Sequence, residues 1–154
     1  MTASITLYNH TALRIEDATN ILLSTGTFKV TLHTSASNAA TLTNAVYADL
    51  TNELATGFGY TSGGGTLASV TLTTVTTNDS MFDAADFVWT ASGGSIPAWR
   101  FAVIRRSDTV NSLVGPLIGY ILGDTTPADI PATTVGNTLT LTWDATGIVT
   151  GTVA

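Results

Sequence analysis

Threonine alternates with large apolar side chains along most of this chain. The clearest run is Thr138-Leu139-Thr140-Leu141-Thr142-Trp143. Successive side chains of an extended strand point to opposite faces, so Leu139, Leu141 and Trp143 share one face and the threonines the other. Residues 27–33 repeat the pattern, with Phe28, Val30 and Leu32 set against Thr27, Lys29, Thr31 and His33. His33, at the strand end, is expected to face solvent. Residues 66–74 alternate again, Ala68, Val70 and Leu72 against Ser69, Thr71 and Thr73, until Val75 breaks the phase. Residues 86–91 form a strand carrying Phe87 and Trp89. Residues 99–106 and 117–122 are apolar on both faces in their middles, which predicts central positions in a sheet. Residues 137–143 and 148–153 are expected to close a hairpin across Asp144-Ala145-Thr146-Gly147.

The N-terminal third is less strand-like. Residues 9–19 predict a short helix capped by Asn9 or Thr11. Residues 46–55 predict a helical turn or two with Tyr47, Leu50 and Leu54 on one side. Residues 34–44 and 124–134 read as loops, the second holding Pro127 and Pro131. Gly57-Phe58-Gly59-Tyr60-Thr61-Ser62-Gly63-Gly64-Gly65 is a glycine-rich connector, and Thr77-Asn78-Asp79-Ser80 and Gly93-Gly94 mark turns. The sum is an all-β fold: a jelly-roll-like β-sandwich of about seven or eight strands, with one or two short helices in the N-terminal third. Residues 1–154 read as a single domain, with 1–26 a candidate docking segment.

Composition narrows the chemistry. Roughly a fifth of the residues are threonine, which suits pleated, half-exposed strands and not helices. Charged residues are 10% of the chain and the net charge is -6, against about 25% charged in an ordinary domain. Lys29 is the only lysine, so the clustered cations that phosphate neutralisation needs are missing and no nucleic-acid partner is expected. No apolar run approaches the ~20 residues of a membrane helix, and no membrane partner is expected. With no cysteine, thiolate metal sites and disulfides are excluded. The start, Met1-Thr2-Ala3-Ser4-Ile5, lacks a basic patch followed by an apolar core, so no signal peptide is expected.

Catalytic candidates are few. Gly59-Tyr60-Thr61-Ser62-Gly63 has its serine one place late for a nucleophile elbow. Asp79, Asp83 and Asp86 could form a carboxylate pair, with Trp89 and Trp99 lining a cleft. The stronger reading has Asp79 and Asp83 capping turns and Trp89 in the core beside Phe87. Asp79/Asp83 and Asp124/Asp129 are the places for a calcium ion, although no Asp-x-Asp-x-Asp-Gly loop exists. No enzyme, cofactor or metal site is expected. Arg105 and Arg106, with Arg100, make the only cationic cluster. Together with Tyr60 and Trp99 they are the candidate protein-interface residues.

Several blocks resemble tailed-bacteriophage virion proteins. They are Ala48-Asp49-Leu50-Thr51-Asn52-Glu53-Leu54 with the following Gly57-to-Gly64 run, and Phe87-Val88-Trp89-Thr90-Ala91-Ser92-Gly93-Gly94-Ser95-Ile96 with Trp99-Arg100-Phe101-Ala102-Val103-Ile104. Pro116-Leu117-Ile118-Gly119-Tyr120, Asn137-Thr138-Leu139-Thr140-Leu141 and Gly147-Ile148-Val149 complete them. The resemblance implies a small structural protein of a phage particle, most similar to capsid decoration, or cement, proteins. Its expected place is the outer capsid surface of the virion, after assembly in the host cytoplasm. Its expected partners are the major capsid protein and itself, as a homotrimer. The alternatives are a tail, neck or fibre-attachment component, or a carbohydrate-binding receptor tip using Trp89, Trp99 or Trp143 as stacking platforms.

Overall fold

The computed structural model describes residues 5–11, 23–75, 79–123 and 129–152. Within them the chain is an all-β protein of short antiparallel strands. These are β1 (Ile5–Leu7), β2 (Phe28–His33), β3 (Gly65–Thr66), β4 (Thr71–Thr74), β5 (Asp79–Asp83), β6 (Phe87–Thr90), β7 (Phe101–Arg106), β8 (Thr109–Val110), β9 (Leu113–Val114), β10 (Leu117–Leu122), β11 (Thr138–Leu141) and β12 (Val149–Thr152). The count exceeds the seven or eight expected because β1, β3, β8 and β9 are only two or three residues long.

The main sheet has the order β1-β10-β7-β2-β3. Its central strand is β7, buried at every residue, which is where the continuous apolar run of 101–104 placed it. Two sets of side chains leave this sheet. Phe28, Val30 and Leu32 of β2 stand opposite Arg106, Ile104 and Ala102 of β7, and this face carries the larger core with Trp89, Trp99, Ile121, Leu141 and Trp143. On the other face Phe101 and Val103 join Tyr8, Ala39 and Leu117, with Tyr47, Leu50 and Tyr120 packed against them. Fully burying a side chain such as Leu32 or Ile104 is worth about 1.5–3 kcal/mol.

The second layer packs on the larger core; the Phe28 and Phe82 rings lie 5.0 Å apart. Here the expected hairpin of 137–143 with 148–153 is replaced by a different pairing. Strand β11 pairs with β6, Leu139 opposite Trp89, and β12 pairs with β5, Val149 opposite Phe82. Residues 142–148 lie between the two ladders, opposite residues 84–86. The Asp144 turn itself forms, with the Gly147 amide 2.8 Å from the Asp144 carbonyl and the Thr146 amide 2.9 Å from Asp144 Oδ1. Trp143 fixes the junction: its indole Nε1 donates to the Ala85 carbonyl at 3.0 Å and its amide to Asp86 Oδ1 at 3.1 Å.

Other expectations shift locally. Residues 9–11 are helical, and the rest of the expected 9–19 helix lies outside the described residues. Most of the candidate 1–26 docking segment lies outside them too. The helical turns expected at 46–55 reduce to one 3₁₀ turn, Tyr47–Asp49. The strand expected at 66–74 is split into β3 and β4, since Ser69 adopts φ 52° between them. Asp79 and Ser80, expected in a turn, belong to β5.

Candidate functional site

The densest polar cluster lies over the polar face of β2. That face was expected to meet solvent, but residues 34–63 cover it, and Thr31 and His33 are both 0% exposed. Buried polar groups require partners. Thr31 Oγ1 and His33 Nε2 are 2.9 Å apart, and His33 Nδ1 lies 3.1 Å from the Thr51 carbonyl. Burial pushes the His33 pKa below its ordinary value, opposed by the Thr51 hydrogen bond and by the charge of Glu53.

The cover is held in place by local side-chain bonds. Asp49 Oδ2 accepts the Ala45 and Val46 amides at 2.8 and 3.0 Å, and these bonds lower its pKa. Asn38 donates through Nδ2 to the Asp49 carbonyl at 2.7 Å and accepts the Thr51 amide at 2.9 Å. Residues 52–54 then run beside β2, Glu53 bridging to His33 and the Leu54 amide bonding the Leu32 carbonyl at 2.9 Å. Gly57 and Tyr60 exchange backbone bonds of 2.9 and 3.0 Å across a loop in which Gly59 has φ 95°. A Cβ on Gly59 would lie 2.0 Å from the Thr90 carbonyl oxygen, so only glycine fits.

These elements converge on Glu53. Its carboxylate accepts the Tyr60 hydroxyl at 2.6 Å, the Gly63 amide at 2.7 Å, the Ser62 hydroxyl at 3.2 Å and the Tyr47 hydroxyl. Burial first, and Glu53 second, push the Tyr60 and Tyr47 pKa values up. Arg105 completes the cluster. It donates to the Gly63 carbonyl at 2.8 Å, and its guanidinium carbon sits 3.9 Å from the Tyr47 ring centroid. Lys29 stands directly across the ladder from Arg105, a like-charge pairing that weakens a sheet. Glu53 lies on the covering segment, and its charge favours the cationic form of Arg105 against the burial that lowers its pKa.

The expected interface residues are all placed inside the protomer: Tyr60 is 1%, Trp99 0%, Arg105 6% and Arg106 3% exposed. Their side chains meet this chain and not solvent. Tyr60 and Arg105 share the Glu53 cluster. Arg106 lies on the opposite face of β7, paired with Asp108 and over the Phe28 ring. Trp99 is in the larger core, apart from both. An arginine pair at a strand end reads as surface charge in sequence; here Tyr47, Gly63 and Asp108 shield it. Glu53 was not singled out from sequence. Its signal was weak: a glutamate between the apolar Leu50 and Leu54, just before an aromatic-glycine loop.

Most of the other candidate side chains are used by the fold, although Asp83 Oδ1 and Trp99 Nε1 are buried without a hydrogen-bond partner. The three tryptophans, Trp89, Trp99 and Trp143, are 5%, 0% and 7% exposed, so none offers a ring face for sugar stacking. Asp86 caps the Trp143 amide, and Asp129 accepts the Ser35 hydroxyl at 3.1 Å; Asp124 lies outside the described residues. Among the described residues no three His, Asp or Glu side chains are grouped to hold a metal. A groove of about 560 Å³ adjoins Arg105, lined also by Val46, Tyr47, Leu113 and Val114. Another of about 410 Å³ lies along Gly59, Gly64 and β6. Neither is lined by Asp79, Asp83 or Asp86. No family profile matches the chain, and no curated protein or solved structure is significantly similar to it.

Proposed function

We infer that this chain is a structural protein of a tailed-phage particle, a capsid decoration protein that binds the outer head surface beside the major capsid protein and copies of itself. One observation carries the reading: its functional-looking side chains are spent on holding the fold. The carboxylate, phenols and guanidinium of the Glu53 cluster bond one another and the backbone. Outside, the edge strand β4 is exposed and uncharged, and Phe58, Leu72, Val75, Val88, Val114 and Val135 are exposed. The exposed, uncharged β4 edge is suited to strand-to-strand protein contact. The buried tryptophans weigh against the receptor-tip alternative.

The test is the copy number and location of the protein in particles of the phage that encodes it. Quantitative mass spectrometry and a particle reconstruction are expected to give hundreds of copies, on the head. A handful of copies at the tail or neck would replace decoration with a tail role. Absence from the particle would overturn the virion reading.

A further inference from the structure

Strand β4 is an edge. Its sheet has the order β12-β5-β4, and among the described residues only β5 pairs with it. All four of its residues are exposed, and none is charged. Natural edges of this kind are usually blunted by lysine, proline or a covering loop. Here the run Ala68-Ser69-Val70-Thr71-Leu72-Thr73-Thr74-Val75 has none of the first two.

The ladder with β5 fixes which backbone groups point outward. The Val75 amide bonds the Asp79 carbonyl at 2.9 Å, so Val75 and Asp79 form a hydrogen-bonded pair. The Ile148 amide takes the Phe82 carbonyl at 2.8 Å, so Phe82 turns its backbone groups away from its β4 partner Leu72. Antiparallel pairs alternate between bonded and non-bonded. Thr73 therefore bonds inward to Met81, while Leu72 and Thr74 present their N–H and C=O groups outward.

We propose that β4 pairs antiparallel with β4 of a second copy, about a two-fold axis through Thr73. In that register Leu72 exchanges both backbone bonds with Thr74 of the other copy, and Thr74 with its Leu72. The strand is thus its own complement, as an isologous contact demands. The two Thr73 side chains face each other as a non-bonded pair with Cα atoms about 4.5 Å apart. Threonines in that position hydrogen-bond across strands. The edge is uncharged, so two copies meet there with no like charges in direct contact; the -6 on each copy opposes the approach and is screened by salt. Pairing also covers the apolar Leu72 and Val75, which are 43% and 56% exposed. A contact between two short strands falls below the ~1,200 Å² of a stable interface, so the pair is weak alone and strengthens when copies are arrayed. This inference stands whether or not the virion reading holds.

The chain has no cysteine, which makes cross-linking a clean test. Thr73→Cys, oxidised at high protein concentration, is expected to give a disulfide-linked dimer, because the spacing lies within the 4.4–6.8 Å Cα range of a disulfide. Ala132→Cys, exposed in a loop outside β4, is the control. Sedimentation equilibrium of the unmodified chain is expected to show weak dimerisation. Thr73→Lys is expected to abolish it at unchanged melting temperature, by setting like charges opposite each other. Equal cross-linking of the two cysteine variants, a strictly monomeric parent, or a dimer untouched by Thr73→Lys would each overturn the proposal.

Discussion

The Tyr60 hydroxyl sits between Glu53 and the main sheet: it donates to Glu53 Oε1 at 2.6 Å while accepting the Leu32 amide at 3.0 Å. One buried phenol thus ties the half-buried Glu53 of the covering segment to β2. Tyr60→Phe removes both bonds and leaves the Leu32 amide without its acceptor. The expected loss is about 1–3 kcal/mol, the cost of a buried polar group left unpaired. Urea unfolding checks it. Tyr47→Phe, at a half-buried ring that keeps its place under Arg105, is expected to cost less. Equal effects would mean that Tyr60 does not fasten the cover.

Acid is expected to destabilise the fold before the carboxylates titrate. The His33 pKa is lowered in the folded chain, chiefly by burial. The unfolded chain therefore binds this proton more readily. The stabilisation is full above the unfolded value of about 6.5 and is lost as pH falls through the folded one. Unfolding midpoints measured from pH 7.5 down to 5 should fall, and His33→Gln should flatten that slope. An unchanged slope in the variant would remove His33 as its source.

Two glycines of similar φ separate strain from space. Gly93, at φ 71°, has nothing within 4 Å of a would-be Cβ, whereas at Gly64, φ 79°, that atom would lie 2.2 Å from the Val30 carbonyl oxygen. Gly93→Ala should cost about 1–3 kcal/mol from backbone conformation alone. Gly64→Ala should cost clearly more or prevent folding, because the connector must lift off β2. Thermal melts of the two variants decide; similar losses would show that the connector yields freely.

Tryptophan emission should report a dry interior. With Trp89, Trp99 and Trp143 all below 8% exposure, acrylamide is expected to quench little. Added polysaccharide should leave the spectrum unchanged. A saturable change on adding a glycan would restore the receptor-tip reading.

The elements nearest the pattern were legible from it. Alternation placed Phe28, Val30 and Leu32 on a core face, and the doubly apolar run at 101–104 marked the central strand. The Asp144 turn was legible too, because its chemistry is local. Where its flanking strands pair was not. A turn constrains a few residues, while the choice between pairing β11 with β12 and pairing them with β6 and β5 rests on contacts some 50 to 70 positions away in the chain.

The sequence by itself determined an all-β chain with little charge, since strand periodicity and threonine's preference for pleated surfaces act residue by residue. Tertiary structure alone decided the polar side of β2. Thr31, His33 and Arg105 carry polar groups that a strand reading sends to water. The 34–63 segment folds over them and supplies Glu53, the Thr51 carbonyl and the Gly63 carbonyl as partners. Burial of such groups depends on what a distant segment offers them, and that is a property of the packed chain.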